Sequence, residues 1–416
     1  MRNKSFARQK STVAQALLLV LAIFLSSVSA HAGEKVIFQF NQNQGFNPST
    51  PLISDSAGNF YGTVGGGQGN CSNVYELSPG SNGAYTETVL YTFQNCNRTG
   101  LYPVGALSID KSGNLYGAEY GFSTADGSGL VYELTKQANG TFTYSVLHNF
   151  GADEGGPFGD FAWDGAGNMY GATSHDSTTF QGEIFELSPQ SNGTWKDTVL
   201  YQFPSPSGID GPSGSVIFDN QGNLYGATTF YGNGTNSRGT VYELSPQSGT
   251  RWKLTLLYNF TPASTSQFPN SRLTFDSNGN LYGTSAGARN SLYGTVFEVS
   301  PGSGGVWTEK TLHSFSSGND GGDTTGNLVF DTSGNLYGVT YNGGSGCNGN
   351  LCGVIYKLTP QSGGGYQESI LHPFESASDG SVPYSGLFLD SSGNLYGTTY
   401  HGGSRYGYGT VYEINP

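Results

Sequence analysis

Glu119, His175 and His401 are the side chains of this 416-residue chain whose types best suit proton transfer. A carboxyl and an imidazole within hydrogen-bond reach of one substrate would serve a lyase or hydrolase as acid and base. Tyr120, Tyr231, Arg238, Arg289, Tyr341, Arg405 and Tyr406 offer ring faces, hydroxyls and guanidinium forks to a ligand. Asp153, Glu154, Asp210, Asp320, Asp323 and Asp379 add carboxylates nearby in sequence. The chain has no His-Glu-x-x-His helix motif and no phosphate-cradling Gly-Lys-Ser/Thr loop. Binding is therefore expected ahead of catalysis, with no cofactor and no metal.

Those residues fall between the copies of a repeat. Asp-x-x-Gly-Asn-x-Tyr-Gly begins at Asp55, Asp110, Asp164, Asp219, Asp276, Asp331 and Asp390, at intervals of roughly 54 to 59 residues. Each copy continues through a variable Gly-rich stretch to a run such as Val241-Tyr242-Glu243-Leu244-Ser245-Pro246. A turn, an aromatic residue and a second β-rich run such as Leu256-Leu257-Tyr258 follow, and an apolar run leads into the next Asp. Four short β runs per unit, without helical periodicity, predict an all-β, seven-bladed β-propeller of four-stranded blades. Val36–Phe40 matches the fourth run of a repeat, whereas the last repeat stops after its third. The N-terminal strand is thus expected to complete the last blade, making residues 33–416 one domain.

Recurrence separates scaffold from candidate site. Seven equivalent Asp residues are expected to accept backbone N–H bonds in seven identical turns, with the Gly at positive φ. The recurrent Tyr and pre-strand aromatics are expected to pack neighbouring blades, and Glu76, Glu133, Glu186, Glu243, Glu298 and Glu413 to be buried and to make turn or interblade bonds. Function is then expected on the irregular loops joining second to third strands and blade to blade, which open on one face. His175 and His401 share a register there, and Glu119 stands where the other repeats carry Val64, Thr or Ser.

Residues 1–32 read as an export signal: Arg2, Lys4, Arg8 and Lys10, an apolar run Ala14–Leu25, then Ala30-His31-Ala32. Its removal would take the formal charge from −13 to about −17, which excludes a phosphate-binding surface of the nucleic-acid kind. No second stretch approaches the length of about 20 apolar residues that spans a bilayer. A secreted or periplasmic monomer is expected, with disulfides Cys71–Cys96 and Cys347–Cys352.

Gly-Asn-Leu-Tyr-Gly-Thr-Thr-Tyr-His-Gly-Gly (393–403) and Gly-Thr-Val-Tyr-Glu-Ile-Asn-Pro (409–416) resemble the GloVer (Gloeo/Verruco) tandem repeat. The resemblance covers essentially all of residues 33–416 and implies an exported propeller of unassigned biochemical role, without catalytic residues to carry over. Anchored members carry a C-terminal tail; this chain ends inside the repeat, so release is expected. The Asp-x-x-Gly-Asn-Leu-Tyr turn is also similar to those of NHL-type and streptogramin-lyase-type propellers. The function expected is binding of an extracellular glycan, peptide or small molecule, the alternative being an extracellular lyase or hydrolase.

Overall fold

The computed structural model describes residues 33–65, 71–81, 83–93, 102–121, 129–151, 154–173, 182–204, 211–229, 237–249, 251–286, 293–345, 352–375, 379–403 and 407–416. The predicted signal segment and several loop tips lie outside these residues. Seven antiparallel sheets follow in chain order, one per repeat. Blade 2 is representative: Tyr102–Ile109, Leu115–Tyr120, Gly129–Lys136 and Phe142–Phe150 pair in sequence from the inner strand to the outer.

The seven Asp turns share one set of bonds. In blade 4, Asp219 Oδ1 accepts the backbone N–H groups of Gln221 and Asn223 at 2.8 and 2.9 Å. Its Oδ2 accepts the Asn223 amide at 2.8 Å and the Tyr225 hydroxyl at 3.2 Å. Asp55 and Asp331 repeat all four bonds, as do Asp110, Asp164, Asp276 and Asp390. The Gly of each turn has φ between 80° and 89°. The motif is turn chemistry, as its regularity predicts.

The second Gly of the motif is required for a different reason. Its φ is ordinary, but a Cβ on Gly226 would lie 2.3 Å from the hydroxyl of Tyr242, the fully buried third-strand aromatic. Gly171 meets Phe185 and Gly283 meets Phe297 in the same way. Each motif Tyr packs across to the next blade: Tyr61 lies with Leu107 and Leu115, and Tyr225 with Leu273 and Leu281. The recurrent glutamates are half-buried rather than buried, and bond locally, with Ser78 donating to Glu76 at 2.7 Å and Ser188 to Glu186 at 2.6 Å.

The ring closes as expected. Gly33–Gln39 pairs antiparallel with Thr410–Asn415, Gly33 opposite Asn415 and Gln39 opposite Thr410. This strand begins earlier than the Val36 suggested by the repeat, and Phe40 lies just past its end. Among the described residues no helix is long and apolar enough to cross a membrane.

Candidate loop face and central channel

Each inner strand runs from the loop-rich face toward its Asp turn, so residue position along it sets depth in the channel. At the loop-rich end, Tyr102, Phe158 and Tyr384 are 39%, 46% and 48% exposed, unlike the buried aromatics of the blades. Tyr120 sits among them, its ring 5.8 Å from Tyr102 and 6.4 Å from Phe158. On the opposite flank Tyr341 lies 6.0 Å from Tyr384, Tyr384 lies 6.4 Å from Tyr400, and His401 meets Tyr400 edge-on at 4.7 Å. The two flanks approach each other: burial, then the neighbouring Tyr120 and Tyr384, raises the Tyr102 phenol above its ordinary value. Blades 2, 3, 6 and 7 thus frame one aromatic rim.

Of the other expected site residues, Arg238 is a scaffold element. Its guanidinium lies over the Phe268 ring at 5.4 Å, and its backbone bonds both Phe260 and Phe268. His175, Tyr231, Arg289, Arg405 and Tyr406 lie outside the described residues, as do Asp153 and Asp210. The remaining loop carboxylates are tied locally. Asp320 accepts from Ser316, Asp323 from Asn342, Glu154 from Gly151, and Asp379 faces His372 Nε2 at 3.0 Å.

Glu119 is displaced from its expected place on a loop. The second strand of blade 2 extends to Tyr120, so Glu119 is a strand residue, only 4% exposed. Tyr144 donates to its carboxylate at 3.2 Å, and Tyr91 of blade 1 stacks on Tyr144 at 4.6 Å. Its column explains this: Thr228, Ser285 and Thr399 are also buried, bonding to Thr240, Thr295 and Thr410. Glu119 faces the joint between blades 1 and 2, where burial pushes its carboxyl up to about 7 against the Tyr144 hydrogen bond.

Beyond the rim the inner strands pinch together. A Cβ on Gly105 (φ +66°) would lie 2.0 Å from Gly159 O, and one on Gly159 (φ +90°) 2.6 Å from Ser215 N. One residue further, four before each motif Asp, stands the row Pro51, Ala106, Asp160, Ser215, Arg272, Asn327 and Gly386. Asp160 joins four blades: it accepts Ala106 N–H at 2.6 Å, its own N–H donates to Ser215 Oγ at 2.7 Å, and Arg272 Nη1 approaches at 3.4 Å. These polar residues were missed by attention to loops. Their signal is in the sequence, since this is a register at which no two repeats agree.

The described cysteines, Cys71 and Cys352, are buried and neither is a free thiol. Their expected partners, Cys96 and Cys347, lie outside the described residues.

The Gloeobacter/Verrucomicrobia repeat model matches residues 157–412, so the chain belongs to that family of β-propeller repeat proteins. A search of curated proteins finds no match. Among solved structures, one described as the extracellular domain of a one component system from B. thetaiotaomicron is similar with a TM-score of 0.53 at 15% identity. The similarity covers 92% of this chain, which spans 41% of that one. The polysaccharide lyase Uly1 is similar with a TM-score of 0.52 at 10% identity, covering 91% of both chains. Both likenesses are of fold.

Proposed function

We propose that this chain is an exported binding module that holds an extracellular glycan on its loop-rich face. The observation that carries this reading is the rim of Tyr102, Tyr120, Phe158, Tyr384 and Tyr400 around the channel mouth. Sugar rings present apolar C–H faces, and aromatic side chains offer stacking area with few rotors to immobilise. Tyr102 and Phe158 sit on inner strands and Tyr120 on the second strand of blade 2, so much of the rim is held on rigid backbone and binding costs little ordering. The extracellular domain and the polysaccharide lyase among the fold's relatives are compatible with such a partner, as is the excess of acidic over basic residues. The enclosure of Glu119 by Tyr144 weighs against the lyase or hydrolase reading, which needs a carboxyl that substrate can touch. The same reading includes signal removal after residue 32, the two expected disulfides and a monomeric state.

A screen of soluble oligosaccharides by calorimetry and glycan array tests it. A bound glycan should lose at least about tenfold in affinity with Phe158→Ala or Tyr384→Ala, equivalent to about 1.4 kcal/mol. Glu119→Gln should leave affinity unchanged. Binding that ignores both rim variants, or no binding by any glycan, would sink the proposal.

A further inference from the structure

A second part of the channel lies on the other side of the pinch, and it does not depend on the loop-face reading. A cavity of about 520 Å³ is lined mainly by the inner strands of blades 1, 5, 6 and 7 between the polar row and the Asp turns, blades 2 and 3 adding only Ala106 and Asp160. Apolar residues outnumber polar ones in its lining, Ile53, Phe275, Phe330, Phe388 and Leu389 among them, although polar atoms supply somewhat more of its open surface. Arg272 and Asp160 are the charged side chains lining it. The other repeats place Pro, Ala, Asp, Ser, Asn and Gly where blade 5 has Arg272, so the guanidinium is not a repeat requirement.

From this arrangement we propose that the cavity binds a small monocarboxylate with an apolar body and a hydroxyl or ammonium on its α-carbon. Arg272 has five N–H donors, and among the described residues its side chain makes one long bond, to Asp160 at 3.4 Å. Its side chain is 39% exposed, so a planar carboxylate can take the remaining fork in a bidentate pair. Asp160 Oδ1 is held by the Ala106 N–H, which leaves Oδ2 beside Arg272 as the acceptor for an α-hydroxyl or α-ammonium. The ring walls would cover a phenyl or branched alkyl body, the pattern of ligand sites with a few polar groups in apolar surroundings. Charge selects against dianions. One guanidinium already beside a carboxylate cannot offset phosphate or sulfate, and no second cation lines the cavity among the described residues.

The probes are 3-phenyllactate, phenylalanine, 2-phenylethanol and inorganic phosphate, read by saturation-transfer NMR and calorimetry on the intact exported chain. Phenyllactate or phenylalanine should bind, whereas phenylethanol and phosphate should not. Arg272→Gln should weaken binding at least about tenfold, and Arg272→Lys less, because it keeps the charge but loses the fork. Thr274→Trp, which fills the cavity from its wall, should abolish binding; thermal melts identify any variant that fails to fold. Absence of binding by both acids at about ten times a 1 mM dissociation constant, phosphate displacing them, or equal binding by folded Arg272→Gln would each overturn the proposal. Loss of glycan affinity in rim variants with acid binding intact would separate the two sites.

Discussion

At the residue scale, repeated positions test one another. Tyr75, Tyr132, Tyr242, Tyr356 and Tyr412 bury a hydroxyl with no hydrogen-bond partner among the described residues, while blades 3 and 5 place Phe185 and Phe297 in the same slot. An unpaired buried hydroxyl opposes folding, so the ring rather than the oxygen holds the slot. Tyr242→Phe should therefore be neutral or stabilising, within about 0.5 kcal/mol of wild type. Gly226→Ala should cost about 2 kcal/mol or more, since its Cβ would fall 2.3 Å from that hydroxyl in a packed core. Denaturant titration of both variants decides it; a loss in Tyr242→Phe as large as that in Gly226→Ala would instead show that the buried hydroxyl contributes to stability. The Asp turns were legible in sequence because donors and acceptor lie within seven residues of one another. The Tyr-to-Gly contact was not, because it joins two strands across a variable loop.

Blade joints share a feature no single repeat displays. Outer strands place Glu34, Glu87, Asp197, Glu309 and Glu368 at equivalent registers, and blade 2 supplies Glu119 instead, bonded to Tyr144. Only blade 4, with Leu254, has an apolar residue there. Burial first, and then Asp320, pushes Glu368 up to about 7. His313 of the preceding blade does not neutralise it, because burial holds that imidazole below its ordinary value. Folding thus favours the protonated acid. The resulting stability is fully present below the unfolded carboxyl value of 4.5 and is lost as pH rises through about 7. Glu368→Gln should raise the melting temperature more at pH 8 than at pH 5, checked by calorimetry at both. An equal shift would assign the effect to packing. Sequence reading saw these acids only as members of β runs, since the joint partner lies a whole blade away. The polar row of Asp160 and Arg272 was visible as variation, but attention to loops passed over strand interiors.

For the molecule as a whole, those raised carboxyls and the Asp turns bound the pH range from opposite sides. Burial alone would raise the turn carboxyls, but bonds from Asn, backbone N–H and Tyr hold Asp55, Asp164, Asp219, Asp276, Asp331 and Asp390 below the usual range. Their contribution is present above the unfolded value of 3.8 and is lost as pH falls through the lowered folded values. Melting temperature should therefore peak near pH 5, falling slowly toward pH 8 and steeply below about pH 4. A pH series of melts with a maximum at or above pH 8 would refute the dominance of the joint carboxyls.

The closure of the ring makes its own experiment. Deleting residues 33–39 leaves Thr410–Asn415 as an unpaired edge, which recruits strands from other molecules. That deletion should aggregate or exchange strands, as light scattering would show. A circular permutant separates the strand from its terminal position. Gly33 faces Asn415 in the ladder, so a short Gly/Ser linker can join the described ends, and new termini can open in the exposed Ser303–Gly305 turn before the outer strand of blade 5. Blade 5 would then close with three strands from one end and one from the other, as blade 7 does in the native chain. Because every blade carries the same Asp turn and aromatic–Gly contact and packs on its neighbours through apolar columns, the permutant should stay monomeric and melt within a few degrees of wild type. Should it unfold while the native connectivity folds, then blade 7 holds closure energy that the repeat does not encode, and Glu34, His372 and Asp379 at that joint would be the residues to substitute next.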